Sequence, residues 1–160
     1  MRHGVRVAVD VGSVRVGVAV SDPAGTLALP ISVLTRDGKR DSDMAELAAI
    51  VRERSAIEVL VGWPRSLSGA EGKAARLARD YAAGLATAVA PVPVRLVDER
   101  LSTVEAAGRL RGAGHDARSA RAVIDAQAAV VVLETALEGE RSSGRPAGEP
   151  VPVPTPSPSA

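Results

Sequence analysis

The stretch from Val7 to Asp22, "VAVDVGSVRVGVAVSD", constrains the fold most strongly, because it places the carboxylate Asp10 inside an apolar, β-branched run. An unpaired charge in an apolar setting costs several kcal/mol, so Asp10 requires either a partner or a function. The segments Val5–Val11 and Val16–Ser21 have the composition of strands, and the four residues between them form a short turn. This arrangement predicts an antiparallel hairpin.

Beyond this hairpin, the spacing of apolar residues and the turn and cap residues predict three more strands and four helices. In chain order these are a strand from Thr26 to Thr35, a helix capped near Asp41, the strand "IEVLVGWP" that ends at Pro64, an Ala-rich helix from about Glu71 to Val89, the strand "VPVRLVDE", a helix opened by a Ser102 and Glu105 capping box, and a last helix from near Ser119. Three consecutive strands followed by alternating helices and strands indicate an α/β protein.

Length and composition predict one folded domain and a tail. The 160 residues are 46% hydrophobic, enough for one globular core, which we assign to residues 1–139. Residues 140–160, "ERSSGRPAGEPVPVPTPSPSA", are rich in Pro and Ser and contain almost no bulky apolar residue. Such a segment predicts disorder, with a polyproline spacer or a docking peptide as alternatives.

Composition also excludes several function classes. The chain has no cysteine and two separated histidines, which argues against a zinc site, so a metal would have to bind to oxygen ligands. One Trp, one Tyr and no Phe exclude base stacking as the dominant contact, and a net charge of +1 restricts nucleic-acid binding to a local patch. No signal region or membrane-spanning run is present, so we expect a cytoplasmic protein with no membrane partner.

Two further carboxylate positions have apolar surroundings. The segment "AVIDAQAAVVVLE" is apolar almost all round from Ala122 to Leu133, with Asp125 as its one charge, which predicts a buried helix. The strand ending in "LVDER" supplies Asp98 and Glu99, and strand alternation allows one of these two acids to point to a given face. The sequence therefore predicts a second and a third inward carboxylate beside Asp10.

Three inward carboxylates repel one another unless a cation neutralises them, which favours a divalent metal site. Ligation by oxygen alone indicates Mg²⁺ or Mn²⁺. Each acid also has a structural alternative, in which Asp10 bonds the amides of Gly12 and Ser13, Glu99 pairs with Arg100, and Asp125 pairs with Arg121.

Four ordered motifs carry a resemblance to a known family. They are "VDVGSVRVGVAVSD", "VGWPRSLSG", "DERLSTVEA" and "IDAQAAVVVLE". In these segments the sequence resembles the YqgF or RuvX proteins of the ribonuclease H superfamily, described as pre-16S rRNA nucleases and Holliday junction resolvase-like proteins. The resemblance spans the whole predicted globular part.

The resemblance implies a ribonuclease H-like fold with a central mixed five-stranded sheet flanked by helices. Its first three strands would be antiparallel and its later strands parallel. The resemblance also implies that Asp10, Glu99 rather than Asp98, and Asp125 are the catalytic metal ligands. The implied activity is that of a metal-dependent endonuclease that processes the 5′ end of pre-16S rRNA in ribosome biogenesis.

Arginine side chains are the candidate substrate contacts, because guanidinium groups match phosphate oxygens in geometry and charge. The candidates are Arg15, Arg100, Arg109, Arg111, Arg118 and Arg121. For the last four, a solvated helix face with local ion pairs is the alternative. The expected partner is nucleic acid, either a structured RNA precursor or branched DNA, bound by a monomer or a non-covalent homodimer.

The sequence is also compatible with two other functions. Symmetric cleavage of a Holliday junction in DNA recombination or repair would require two active sites and hence a dimer. A non-catalytic nucleic-acid-binding assembly or transcription factor would not need all three acids, yet all three are present. Sugar kinases and actin-like ATPases share the first hairpin, but a single domain of this size has no room for their second phosphate loop.

Overall fold

The fold is built on one mixed β-sheet. The structure, a computed structural model, describes residues 1–65, 68, 71–99 and 117–153, with the backbone alone for 117–125. Within these ranges the chain forms six strands and three helices. They are β1 Arg6–Val11, β2 Arg15–Ser21, β3 Ala28–Thr35, α1 Ser42–Glu53, β4 Glu58–Trp63, α2 Lys73–Val89, β5 Val94–Asp98, α3 Ala117–Ser143 and β6 Glu149–Pro150.

The strand order in the sheet is β3-β2-β1-β4-β5-β6. The β1–β2 and β2–β3 pairs are antiparallel, whereas β1–β4 and β4–β5 are parallel. The expected mixed α/β sheet, with antiparallel pairing among the first three strands and parallel pairing among the later ones, is therefore confirmed. The predicted number of strands is wrong, because β6 adds a sixth strand antiparallel to β5.

The predicted disordered tail is also wrong over its first residues. Helix α3 continues through Ser143, and Glu140 is 3% exposed. Glu140 is held there by Arg2 and Arg6, which donate to its two carboxylate oxygens from the start of the chain. Strand β6 follows within the same segment, and its Pro150 stands on an edge strand, where a missing N–H is tolerated. Residues 154–160 lie outside the described residues.

The sheet is covered on both faces. Helices α1 and α2 pack on one face, against alternate residues such as Val7 and Val9. Helix α3 packs on the other face, against a cluster that includes Ala8, Leu60 and Val97. Because successive strand residues point to opposite faces, Asp10 shares the α3 face with Ala8.

The start of α1 differs from the expected side-chain cap. Asp41 occupies the N-cap position with φ 52°, and its side chain makes no capping hydrogen bond. Two residues later, Asp43 is buried and accepts a 2.8 Å hydrogen bond from the Tyr81 hydroxyl of α2. This acid thus joins two helices. The predicted helix with the Ser102 and Glu105 capping box lies outside the described residues.

Candidate metal centre at the carboxyl edge of the sheet

Asp10 lies near the end of β1, opposite Gly17 of β2. The turn that follows is closed by a 2.8 Å hydrogen bond from the Gly12 N–H to the Arg15 carbonyl. A Cβ at Gly12 would approach that same carbonyl oxygen to 2.9 Å, so the turn requires glycine there. The hairpin itself uses the Gly12 amide, which argues against a purely turn-stabilising role for the Asp10 carboxylate.

Parallel pairing brings a second acid to Asp10. Strands β1, β4 and β5 run in the same direction, so their carboxyl ends meet at one edge of the sheet. Glu99 directly follows β5, and its side chain is hydrogen bonded to that of Asp10. The structure therefore brings together two of the three predicted acids.

The two acids line a cleft of about 110 Å³ between the sheet edge and α3. Its walls are formed by Asp10, Val97, Asp98, Glu99, Ala128, Val131, Val132 and Thr135. The described α3 side chains that line the cleft are apolar apart from the Thr135 hydroxyl, so charges in the cleft are weakly solvated.

The cleft perturbs the titration of Glu99. Burial raises the pKa of Glu99 to about 7, and the charge of Asp10, its hydrogen bond and the charge of Asp98 act in the same direction. Two carboxylates joined by a hydrogen bond must share a proton. A metal cation bound between the two carboxylates would favour their ionised forms and release that proton.

Gly62 of β4 provides the space for Glu99. A Cβ at this glycine would collide with the Glu99 carboxylate, and it would lie 2.8 Å from Cγ2 of Val132. The absence of a side chain on β4 thus allows the acid to reach across the neighbouring strand toward β1.

The third predicted acid is placed by its backbone. Asp125 lies in α3 three residues before Ala128, which lines the cleft, so it occupies the same side of the helix about one turn earlier. Its side chain is outside the described part. Among the side chains that are described, no group of three potential ligands is assembled. The three-acid site therefore stays a prediction.

The structure describes three of the six predicted substrate arginines, two of them by their backbone alone. Arg15 begins β2, immediately after the turn that follows Asp10. The backbones of Arg118 and Arg121 lie in the first turns of α3, and their side chains are not described. Arg100, Arg109 and Arg111 lie outside the described residues.

Sequence reasoning missed one basic side chain near the cleft. Arg65 follows β4 by two residues, and its Nη1 lies 4.0 Å from Oδ2 of Asp98. The position of Arg65 just beyond a buried parallel strand could have indicated it, because loops at that edge of an α/β sheet commonly carry functional residues.

The sequence is similar to a known family and to several known proteins. The family model described as "RuvX: Holliday junction resolvase" matches residues 4–139. A protein of Frankia casuarinae named "Putative pre-16S rRNA nuclease" is 54% identical over 142 residues, which cover 89% of this chain and 70% of that protein. A protein of Thermobifida fusca with the same name is 53% identical over 156 residues, covering 93% of this chain and 96% of that one.

Solved structures support the fold. Thermus thermophilus RuvC in complex with a Holliday junction substrate superposes with a TM-score of 0.55 at 15% identity, covering 92% of this chain and 99% of that one. A second structure of Thermus thermophilus RuvC gives a TM-score of 0.53 at 16% identity, covering 91% of this chain and 99% of that one. At this level of identity the likeness concerns the fold. Within the described residues, none of the helices combines the length and apolarity that a bilayer crossing demands.

Proposed function

Because this chain belongs to the RuvX family, described as Holliday junction resolvase, we propose that it is a metal-dependent endonuclease that hydrolyses phosphodiester bonds in nucleic acid. We propose the 5′ end of pre-16S rRNA as its substrate. The observation that carries the proposal is the Asp10–Glu99 pair in a cleft at the carboxyl edge of the sheet. Ligand sites of open α/β sheets lie at this edge.

The donor set fits a hard divalent cation. Asp10 and Glu99 offer carboxylate oxygens in a weakly solvated cleft, where burial and the neighbouring acids raise the pKa of Glu99. Asp125 would complete the set from α3. Mg²⁺ and Mn²⁺ prefer such ligands. When bound, the ion supplies the positive charge that stabilises a phosphodiester under attack by water.

The protein's own groups have separate tasks in this proposal. Asp10 and Glu99 act in their ionised form, so activity requires loss of the proton that they share in the absence of metal. The apolar wall from Ala128 to Val132 keeps bulk water from the pair and strengthens its electrostatic interactions. Gly62 keeps the Glu99 carboxylate in reach of Asp10.

The names of the relatives and the description of the family support different substrates. The names of the curated relatives support a ribosomal RNA precursor. The description of the family supports a four-way junction, which is our second candidate and requires a homodimer. An RNA precursor substrate would place the protein in the cytoplasm, as a monomer or a non-covalent homodimer.

We propose that arginines near the cleft bind substrate phosphates. Arg15 lies beside the turn after Asp10, and Arg118 and Arg121 precede Asp125 on α3. The family resemblance adds Arg100, Arg109 and Arg111. Each phosphate contact that is removed should lower the salt dependence of binding by about one unit of slope.

The test compares cleavage of a structured rRNA precursor, a single-stranded RNA and a four-way DNA junction, each with and without Mg²⁺ or Mn²⁺. Asp10→Asn, Glu99→Gln and Asp125→Asn should each reduce metal-dependent cleavage at least about 100-fold, because each deletes a ligand charge while preserving shape. Glu46→Gln, on the exposed side of α1, is the matched control and should leave cleavage unchanged.

The outcomes separate the candidates. Cleavage of the precursor supports the first proposal, whereas cleavage of the junction alone by a dimer supports the second. Binding without cleavage under either metal would support a non-catalytic factor. If the three acid variants cleave as well as the parent chain, the proposed metal site is wrong.

A further inference from the structure

A second cavity of about 240 Å³ adjoins the acid cleft. The two share Val97, Asp98 and Thr135 as lining residues. The second cavity extends from this common wall toward the loop after β4 on one side and the segment before β6 on the other. A polymer seated at the acids would therefore lie beside this second cavity.

Among the described residues that line this second cavity, Arg65 is the cation. Its guanidinium carbon lies 4.6 Å from the centre of the Trp63 ring, and its Nη1 lies 4.0 Å from Asp98. The side chain is 29% exposed, so it remains accessible from solvent. A guanidinium that stacks through its flat face keeps its N–H groups in the plane, where they match the oxygens of a phosphate.

Trp63, on which Arg65 stacks, is itself fixed. The ring is 6% exposed, and its Nε1 donates a 3.3 Å hydrogen bond to Oε1 of Glu71. Arg79 of α2 donates to the same oxygen at 2.6 Å and lies 4.7 Å from the ring centre. Arg65 therefore packs on a buried ring whose position is fixed by its own hydrogen bond.

The opposite wall comes from the segment before β6. Gly148 has φ +84°, and a Cβ there would collide with the Leu96 carbonyl, so the segment lies directly on β5. Arg95 of β5 donates hydrogen bonds of 2.7 Å to the carbonyls of Ala147 and Gly148. Ala147 and Gly148 lie beyond residues 4–139, the range that matches the family.

We propose that this second cavity is the subsite for the nucleotide next to the cleaved phosphodiester, and that Arg65 binds the phosphate of that nucleotide. The inference rests on the proposed nuclease function. The cavity shares lining residues with the acid cleft, and it is lined by the Arg65 guanidinium, which is positioned over Trp63. The carboxylate of Glu149 at its rim interacts electrostatically with Arg79, which limits its repulsion of a phosphate.

The first experiment measures binding by the full chain carrying Asp10→Asn, which should not cleave. A fluorescent single-stranded RNA dodecamer and a four-way DNA junction are titrated at several salt concentrations. Adding Arg65→Ala should weaken binding about tenfold and lower the salt slope by about 0.7 for RNA or 0.9 for DNA, because one phosphate contact is lost. Arg65→Lys should restore most of the slope, and Arg52→Ala, on the exposed end of α1, should change neither quantity.

The second experiment tests Trp63 as a positioning residue through steady-state cleavage. Trp63→Leu removes the stacking surface and should raise KM about fivefold with kcat within twofold of wild type. Trp63→Phe retains an aromatic face and should keep KM within twofold. A purely structural tryptophan would instead lower the melting temperature in both variants and leave KM unchanged.

Two results would overturn the inference in distinguishable ways. If the wild-type chain cleaves but Arg65→Ala binds with unchanged affinity and salt slope, the subsite is wrong and the nuclease function stands. If the parent chain neither binds nor cleaves any of the probes, the proposed function fails and the subsite fails with it.

Discussion

Gly62 of β4 and Glu99 after β5 occupy complementary positions: the glycine leaves empty the volume that the glutamate carboxylate fills. The two residues belong to neighbouring parallel strands, with Gly62 in register with Val97. Glu99 can approach Asp10 on β1 because the intervening strand presents no side chain between them. A residue without functional groups therefore determines the geometry of the acid pair.

Gly62→Ala should reduce metal-dependent cleavage at least about tenfold, because the added methyl displaces Glu99 from Asp10. It should also lower the free energy of unfolding by about 1 to 3 kcal/mol through overpacking against Val132. Cleavage rates and urea denaturation measure the two effects. Gly38→Ala is the control, since a Cβ there meets no atom within 4 Å. Wild-type cleavage by Gly62→Ala would show that Glu99 need not contact Asp10.

The pKa of Glu99 predicts how metal-free stability depends on pH. The folded state raises this pKa from 4.5 to about 7, so it binds the proton more tightly than the unfolded chain does. The contribution of Glu99 is therefore most favourable below about pH 4.5 and is lost as the pH rises to about 7, by at most about 3 kcal/mol. Asp10 and Asp98 are the charges that oppose its ionisation.

Glu99→Gln isolates this effect because it cannot titrate. Measured by urea denaturation in EDTA, the variant should gain stability relative to wild type between pH 5 and pH 8. Added Mn²⁺ should stabilise wild type more than the variant at pH 8. A variant that loses stability relative to wild type as the pH rises would mean that a neighbouring cation holds Glu99 as a carboxylate in the absence of metal.

The buried cluster around Glu140 predicts a large stability effect. Arg6 and Glu140 have side chains that are 1% and 4% exposed, and Arg2 also binds Glu58 at 3.0 Å. Glu140→Gln leaves a buried guanidinium without its counter-charge and should cost about 3 kcal/mol in urea denaturation. Glu138→Gln breaks the exposed pair with Arg141 on the same helix and should cost at most about 0.5 kcal/mol. Equal effects would contradict a structural role for the buried pair.

Truncation tests the segment that forms β6. A chain that ends at residue 146 loses the Ala147 and Gly148 carbonyls that bind Arg95, as well as the main-chain pairing of β6 with β5. It should lose about 2 kcal/mol of stability, from at least two hydrogen bonds to a charged group. A chain that ends at residue 153 retains these contacts and should unfold like the full chain. Identical unfolding of both truncated chains would show that β6 contributes nothing.

Much of the architecture followed from local patterns in the sequence. Apolar periodicity predicted β1 to β5 and their helices, because burial of one face or of a whole strand leaves its period in the residue types. The isolated acid Asp10 was recognisable for the same reason, since a charge in an apolar run contrasts with its surroundings. Asp98 and Glu99, by contrast, are adjacent in the sequence, and residue types alone do not distinguish them. The family resemblance favours Glu99, and the structure places Glu99 against Asp10.

The sequence by itself determined the succession of strands β1 to β5 along the chain, the first hairpin and the candidate carboxylates, because these depend on residue types that are close together in the chain. The tertiary structure alone decided that Gly62 makes room for Glu99, that Glu140 is buried by Arg2 and Arg6, and that β6 joins the sheet. Each of these depends on partners far apart in sequence. The two-residue pairing of β6 is made through main-chain hydrogen bonds, which leave no pattern in the side chains.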